Sequence, residues 1–371
     1  MSDSFNNDKN VYLLGAGFSK EIGLPLQDDF LLVAKEVFFK RTGQYKHFQR
    51  VFEYQDKLTK MKKYLNYPLL NLEHLFNLIE MDFFYSQDSA ILQIKNDFTR
   101  LICDVLIDRT PCPFYHDASG HLRIDDSKFQ TYLSFISLFI KDDKHKVVMH
   151  DDTIISFNYD LVLEGAASIY NWKRDERRLD GYTTKPRNDS FLFNTTFGKT
   201  NIVVEDVGQY FKKNMSNPYF PSLELYSEND GSLKLLKLHG SINWTPADDH
   251  TKTFIVPPTW NKSDPEIRVL WDKAYKELMT AKRIIVIGYS FPETDIYVKS
   301  LLGLALNENQ ILQNIYFINP DRDVAKRMCL SLLDRYFEKY CEYKEWKLSE
   351  FIDSNEGKQF IKHHLNREVT A

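Results

Sequence analysis

Early in the chain, the apolar run Val11-Tyr12-Leu13-Leu14 stops at Gly15-Ala16-Gly17, and Ser19 and Gly23-Leu24-Pro25 follow within a few residues. Two glycines in three positions, straight after a candidate strand, let another group come close to the backbone. A phosphate-bearing ligand suits such a turn. Its amides can close on an anion, and a helix starting there would add its dipole. The spacing is not that of a dehydrogenase fingerprint, because Lys20 stands where the third glycine belongs and no acidic residue ends a second strand ~20 residues on. It is not a P-loop either, since GxxxxGK[ST] is absent. Taken alone, the motif also fits a strand-ending turn that binds nothing.

Four more apolar runs end in polar residues. "SFNYD" carries Asn158 and Asp160, "KLHGSINW" carries His239-Gly240, "VIGYSFPETD" carries Gly288, Ser290 and Asp295, and "FINPD" carries Asn319. Each group lies just past the carboxyl end of a candidate strand, where ligands of open α/β sheets bind. Singly, each has a plain structural reading. A histidine after a strand is an ordinary buried polar residue, and Asn158 and Asp160 form a turn or cap before "LVLEGAASIY". Asp295 reads as the cap of a helix beginning near Ile296, in preference to a direct role in chemistry. Their joint occurrence after successive strands is what points to a site.

The elements that must position these residues are legible as buried strands at Val11–Leu14, Thr153–Phe157, Leu235–Leu238, Ile284–Ile287 and Ile315–Ile318. Alternating with helical patterns, they predict a Rossmann-like α/β fold, a parallel sheet with helices on both faces. Between the first and second strands, Gln27 to Lys146 reads as an inserted helical subdomain. "QDDFLLVAKEVFFKR" has Asp28 as its expected N-cap, and "NLEHLFNLIEMDFF" repeats the helical spacing. A polar, turn-rich insertion is expected over Asn171 to Ser232. "DRDVAKRMCLSLLDRYF" predicts a helix after the last strand. The whole of residues 1–371 is read as one domain carrying these two insertions.

Composition narrows the classes. With 48 Lys and Arg against 52 Asp and Glu, the formal charge of -4 argues against a general nucleic-acid binder. The densest basic stretch, Lys57 to Lys63, reads as a solvated helix face. The first ten residues lack a signal-peptide pattern, and no apolar run reaches the ~18 residues of a membrane span. The four cysteines, Cys103, Cys112, Cys329 and Cys341, form no CxxC pair, so a cytoplasmic chain without a cysteine zinc site is expected.

In these motifs the chain resembles the sirtuin family, in its divergent, mainly bacterial branch. The resemblance rests on Gly15-Ala16-Gly17 with Ser19, Gly23-Leu24-Pro25, Asn158 with Asp160, His239-Gly240, Gly288 with Ser290, and Asn319. "FNYD" and "IVPPTWNK" are closer in wording to the sirtuin-like defence branch than to protein deacetylases. The ligand that the resemblance implies is NAD, as substrate. Gly15, Ala16, Gly17 and Ser19, with Pro25, would hold its pyrophosphate side, and Gly288, Ser290 and Asn319 its adenosine half. Asn158 and His239 would then work on the nicotinamide ribose. An Asn amide can hold a ribose hydroxyl and a water through its two ends, and an imidazole near its ordinary pKa of ~6.5 can take the proton. Asp160 would orient the site or place negative potential against the oxocarbenium-like state.

Two departures from the family pattern bear on activity. The two zinc-binding CxxC pairs are absent, and Leu26-Gln27-Asp28-Asp29 stands in place of Asp-Phe-Arg. Both weaken an acyl-lysine reading and leave water as the nucleophile. The resemblance therefore implies an NAD hydrolase releasing nicotinamide and ADP-ribose, without a metal, that depletes NAD during phage infection. Restraint would come from self-assembly into a homo-oligomer or from a partner, for which a HerA-type ATPase and an Argonaute-type protein are family precedents. The alternatives are a non-catalytic NAD- or nucleotide-binding regulatory subunit, and an NAD-dependent deacylase or ADP-ribosyltransferase. Neither a membrane nor sequence-specific nucleic acid is expected as a partner.

Overall fold

Every residue of the first strand, β1 (Asn10–Leu14), is buried, and successive side chains enter two different cores. Tyr12 and Leu14 face one, Val11 and Leu13 the other. The same alternation runs through β2 (Thr153–Ser156), β4 (Leu233–Lys237), β5 (Arg283–Ile287) and β6 (Asn314–Ile318). A strand buried on both faces is apolar throughout, and that is why these five runs stand out in the sequence. Fully burying a large aliphatic or aromatic side chain contributes roughly 1.5–3 kcal/mol. A slip of one residue would exchange the two cores, so the register is strongly specified.

The computed structural model describes residues 8–40, 43, 45–60, 71–141, 148–174, 183–184, 190–195, 201–214, 222–228, 232–250, 252–256, 265–292, 295–323, 326 and 338–369. Two further strands complete the main sheet, β3 (Phe193–Asn194) and β7 (Cys341–Lys344). The order is β7-β6-β5-β1-β2-β4-β3, parallel throughout. This is a Rossmann-like α/β sheet. From β1 the chain builds outward through β2 to β4, then returns to β1's other side to add β5, β6 and β7. The topological switch point therefore lies between β1 and β5, and the crevice above it is the expected ligand position.

Helices α1 (Phe30–Lys40), α2 (Lys46–Lys60), α3 (Leu72–Ser86), α4 (Ser89–Arg109) and α5 (Gln130–Ser137) separate β1 from β2. Their buried residues share one core with the Tyr12 face of the sheet. Asn71 caps α3, accepting from the amides of Glu73 and His74 at 2.9 and 3.2 Å, and Asp88 caps α4 from Ala90 at 2.8 Å. Asp28, expected to cap α1, accepts from Asn71 Nδ2 at 2.8 Å and so ties the two helix starts together. After β2 comes α6 (Val162–Arg174), and α7 (Val207–Asn214) follows β3. On the opposite face lie α8 (Pro265–Met279) and α9 (Ile296–Glu308).

The structure corrects the expected end of the sheet. β6 is not its last strand: "CEYK" forms β7 beside it, half-buried at every position. Two short helices follow, α10 (Leu348–Asp353) and α11 (Asn355–Phe360), which put Phe351 and Phe360 into the Tyr12-face core, where Leu365 of the next helical turn joins them. Most of the helix expected over "DRDVAKRMCLSLLDRYF" lies outside the described residues, as does most of "IVPPTWNK". No helix among the described residues is long and apolar enough to cross a membrane.

Candidate active site

The glycine turn after β1 meets the turn after β5. A Cβ on Gly15 would stand 2.3 Å from Tyr289 Cα, and one on Gly17 2.7 Å from Gly288 Cα. Gly288 itself has a φ of +59° and sits equally close to Gly17. What approaches the glycines, then, is the chain's own backbone at the switch point. Four amides of the turn are engaged as well. Gly15 donates to Ile287 O at 3.0 Å, Gly17 to Gly288 O at 2.8 Å, Phe18 to Gly15 O at 2.9 Å and Ser19 to Ala16 O at 3.1 Å. Nor does an α-helix start here. Two 3₁₀ turns, Ala16–Phe18 and Lys20–Ile22, follow, so the expected α-helix dipole does not stand behind the turn.

Past β2, Asn158 leans onto this turn. Its Nδ2 donates to Gly15 O at 2.9 Å and lies 3.5 Å from Ser19 Oγ. The amide's donor end is thereby held, and Oδ1 is engaged by no other group among the described residues. Asp160 accepts from the Val162 amide at 3.0 Å, capping α6, and is hydrogen-bonded by the Ser19 side chain. Burial pushes its carboxyl above the ordinary carboxylate range, against the opposing pull of Lys237 and these bonds. Behind it, Lys237 is buried at the end of β4. Its ammonium donates to Asp160 O at 2.6 Å, Ser241 Oγ at 2.7 Å and Glu164 Oε1 at 2.9 Å, which satisfies all three protons.

His239 follows β4 and is 3% exposed. The Gly240 turn after it has a φ of +79°, and a Cβ there would stand 2.3 Å from Phe254 O, so glycine is required. The imidazole lies against the rings of Phe157 at 5.4 Å and Tyr159 at 6.2 Å. Its Nε2 stands 3.3 Å from Asp295 Oδ2, and the same carboxylate oxygen accepts from the Tyr289 hydroxyl. Asp295 occupies the N-cap position of α9, but its side chain makes no capping bond. The reading of Asp295 as a helix cap is therefore corrected: its carboxylate faces His239. Tyr289 stacks on Phe157 at 4.1 Å, and burial first, then Asp295, pushes its phenol well up.

Ala16, Gly17, Ser19, Pro25, Asn158, Asp160, His239, Gly288, Ser290 and Asn319 all border one cavity of about 760 Å³. Of the residues assigned to NAD from the sequence, Gly15 alone does not, since it faces Tyr289 and Gly288 instead. Asn319 is fixed by its own amide on Lys344 O at 3.1 Å and by Oδ1 accepting from Asp321 at 2.9 Å. Three parts of the wall were not foreseen: Tyr289; the apolar side chains of Phe30, Leu72 and Leu106 from the inserted helices; and Trp346-Lys347-Leu348 after β7. Ser349 binds Glu21 through its amide at 3.0 Å and its hydroxyl at 2.9 Å, closing this last segment onto the glycine-turn region. No cluster of three or more His, Cys, Asp or Glu side chains suited to a metal occurs among the described residues.

The chain matches no protein-family model and no curated protein. Among solved structures it is similar to a Sir2 homologue described as an NAD complex, at 14% identity and a TM-score of 0.41, covering 97% of this chain and 93% of that one. It is also similar to a mutant Sir2 homologue described as a 2'-O-acetyl-ADP-ribose complex, at 13% identity and a TM-score of 0.36, with 100% of each chain covered.

Proposed function

We propose that the protein hydrolyses NAD at the nicotinamide–ribose bond, releasing nicotinamide and ADP-ribose. The observation that carries this reading is the meeting of Asn158, His239 and the two glycine turns around one cavity at the switch point of a parallel sheet. The motif resemblance to sirtuins supplies the identity of the ligand. Adenosine lies along Gly288, Ser290 and Asn319, and the pyrophosphate along Ala16, Gly17 and Ser19, with Pro25 beneath. The Gly15, Gly17, Phe18 and Ser19 amides are already bonded, so the phosphates meet the glycine surface while Lys20 and Lys347, both bordering the cavity, supply the countercharge.

In this reading the nicotinamide ribose sits between Asn158 and His239. As the glycosidic bond breaks, its electron pair leaves with nicotinamide and the ribose takes on oxocarbenium character. Asn158 Oδ1 accepts a hydrogen bond from the attacking water. The water oxygen bonds to the anomeric carbon, and its proton passes to His239. Asp160, bonded to Ser19, adds negative potential on the same side. In a cell this reaction depletes NAD, an outcome suited to abortive infection against phage. Such an activity needs restraint by homo-oligomeric assembly or by a partner, such as an ATPase or an Argonaute-type protein encoded nearby. The helices over residues 27–146, read as an inserted subdomain, and the 171–232 insertion are the surfaces for that control.

The test is nicotinamide release from NAD by the purified chain, alone and with the products of neighbouring genes. Asn158→Ala and His239→Ala are each expected to lose at least about a hundredfold, equivalent to ~2.7 kcal/mol of barrier lowering. Product analysis separates hydrolysis from cyclisation and from transfer to an acceptor. Binding of NAD with no release under any of these conditions would favour the regulatory-subunit reading.

A further inference from the structure

Asp295 is fully buried, does not cap the helix it precedes, and holds one oxygen between the His239 imidazole and the Tyr289 hydroxyl. The described residues that follow β5 are tightly constrained. Gly288 is locked against Gly17, and Phe291 takes a φ of +47°, unusual for a bulky residue, while packing on Tyr289 at 4.5 Å. A strained position of this kind persists only where its surroundings over-determine it. From these observations we infer that Asp295 is the positioning carboxylate of the candidate base, fixing the His239 ring and sustaining its basicity in a dry site.

The physical need is plain. Burial disfavours a charged imidazole, as it does at His150, where burial, with Arg367 and Lys141 adding to it, holds the ring down at about 4. A histidine 3% exposed and without a negative partner would be too weak a base at neutral pH. Asp295 offsets that penalty. With Nε2 turned to the carboxylate, Nδ1 is the nitrogen that takes the proton of the water. Among the described residues, other ionisable groups around the ring include Tyr159, past β2, and Tyr289, past β5, with Glu73 of α3 acting on both phenols. Asp160 and Lys237 lie on the side of β2 and β4. Burial keeps both phenols protonated, so neither can replace the Asp295 charge.

The inference rests on the hydrolase reading for its function but not for its test. In the intact protein, the His239 imidazole is followed by NMR through a pH titration and assigned by its absence in His239→Gln. It is expected to titrate at or above the ordinary ~6.5, and in Asp295→Asn at least one pH unit lower. Nicotinamide release by Asp295→Asn should fall at least tenfold, with the acidic limb of its kcat/KM profile moved to lower pH. Asp295→Glu should restore part of both. A wild-type His239 titrating as low as His150 overturns the inference even if Asp295→Asn does not fold. So does an unmoved titration in a folded Asp295→Asn protein. If no nicotinamide is released by wild type, the hydrolase reading fails while the titration still decides the role of Asp295.

Discussion

The polar residues that border the cavity past β2 and β4 were legible because each stands just after a run of apolar ones. Asn158, Asp160 and His239 all announce themselves this way. Asp295 did not, because it lies seven residues past Gly288 and directly before a helix, a position that cap statistics explain without it. Lys237 was hidden for a different reason. In "LLKLHG" it reads as an exposed strand residue, yet it is 2% exposed and paired with Glu164, itself 1% exposed. Only the fold, by bringing the end of β4 against α6, shows that the site rests on a buried ion pair. Replacing Lys237 with Met would leave the Glu164 carboxylate uncompensated and is expected to cost about 3–5 kcal/mol. The double variant Lys237→Met with Glu164→Leu should recover much of that loss, because matched apolar residues can replace a buried pair. Urea unfolding of the three proteins checks this; equal instability of single and double variants would mean that packing, and not the stranded charge, sets the cost.

At the scale of elements, the five central strands were visible and the two outer ones were not. A strand covered on both faces must be apolar throughout, whereas an edge strand of two residues, Phe193–Asn194, or a half-buried "CEYK" carries no periodic signal. The cavity wall after β7 was lost with it. The glycine turn shows the opposite case, in which the motif was seen and its immediate physical cause was not. Sequence reveals that something must lie close to Gly15 and Gly17, but that the close neighbour is the Gly288 turn depends on strand order. The crossing can be tested by comparing two glycines with similarly positive φ. Gly120, at +78°, has open space around its missing side chain, so Gly120→Ala should cost only the left-handed backbone, about 1–2 kcal/mol. Gly288→Ala adds a Cβ 2.5 Å from Gly17 C and Phe18 N, and should cost at least twice as much and disturb nicotinamide release. Similar losses in the two variants would mean that the turns can separate freely.

Across the whole molecule, chemistry and stability are placed at opposite ends of one sheet. All the residues proposed for NAD follow the carboxyl ends of strands. At the amino ends, the last described turn of the chain folds back to close the sheet. Arg367, 4% exposed, grips Asp152 with two bonds, from Nε at 2.9 Å and Nη2 at 2.7 Å, and reaches Asp8 through Nη1 at 3.2 Å. Asp152 in turn accepts from the Asn10 amide at 2.9 Å, and Arg283 at the start of β5 binds Asp8 at 2.6 Å. The starts of β1, β2 and β5 are thus tied to one guanidinium. Burial raises the Asp152 carboxyl, and the two-point bond from Arg367, helped by the Asn10 amide, opposes that rise. Arg367→Ala should therefore cost about 3–5 kcal/mol of stability. Lysine cannot reproduce the fork, so Arg367→Lys should recover only part of it. Because the length of the central strands separates this clasp from His239 and Asp295, nicotinamide release per folded molecule, and its pH profile, should match wild type at 25 °C in both variants. The measurement is unfolding free energy beside kcat/KM across pH on the same preparations. An altered pH profile in Arg367→Ala, with the protein still folded, would show that the amino-end charges reach the site, and that the two ends of the sheet cannot be treated as independent.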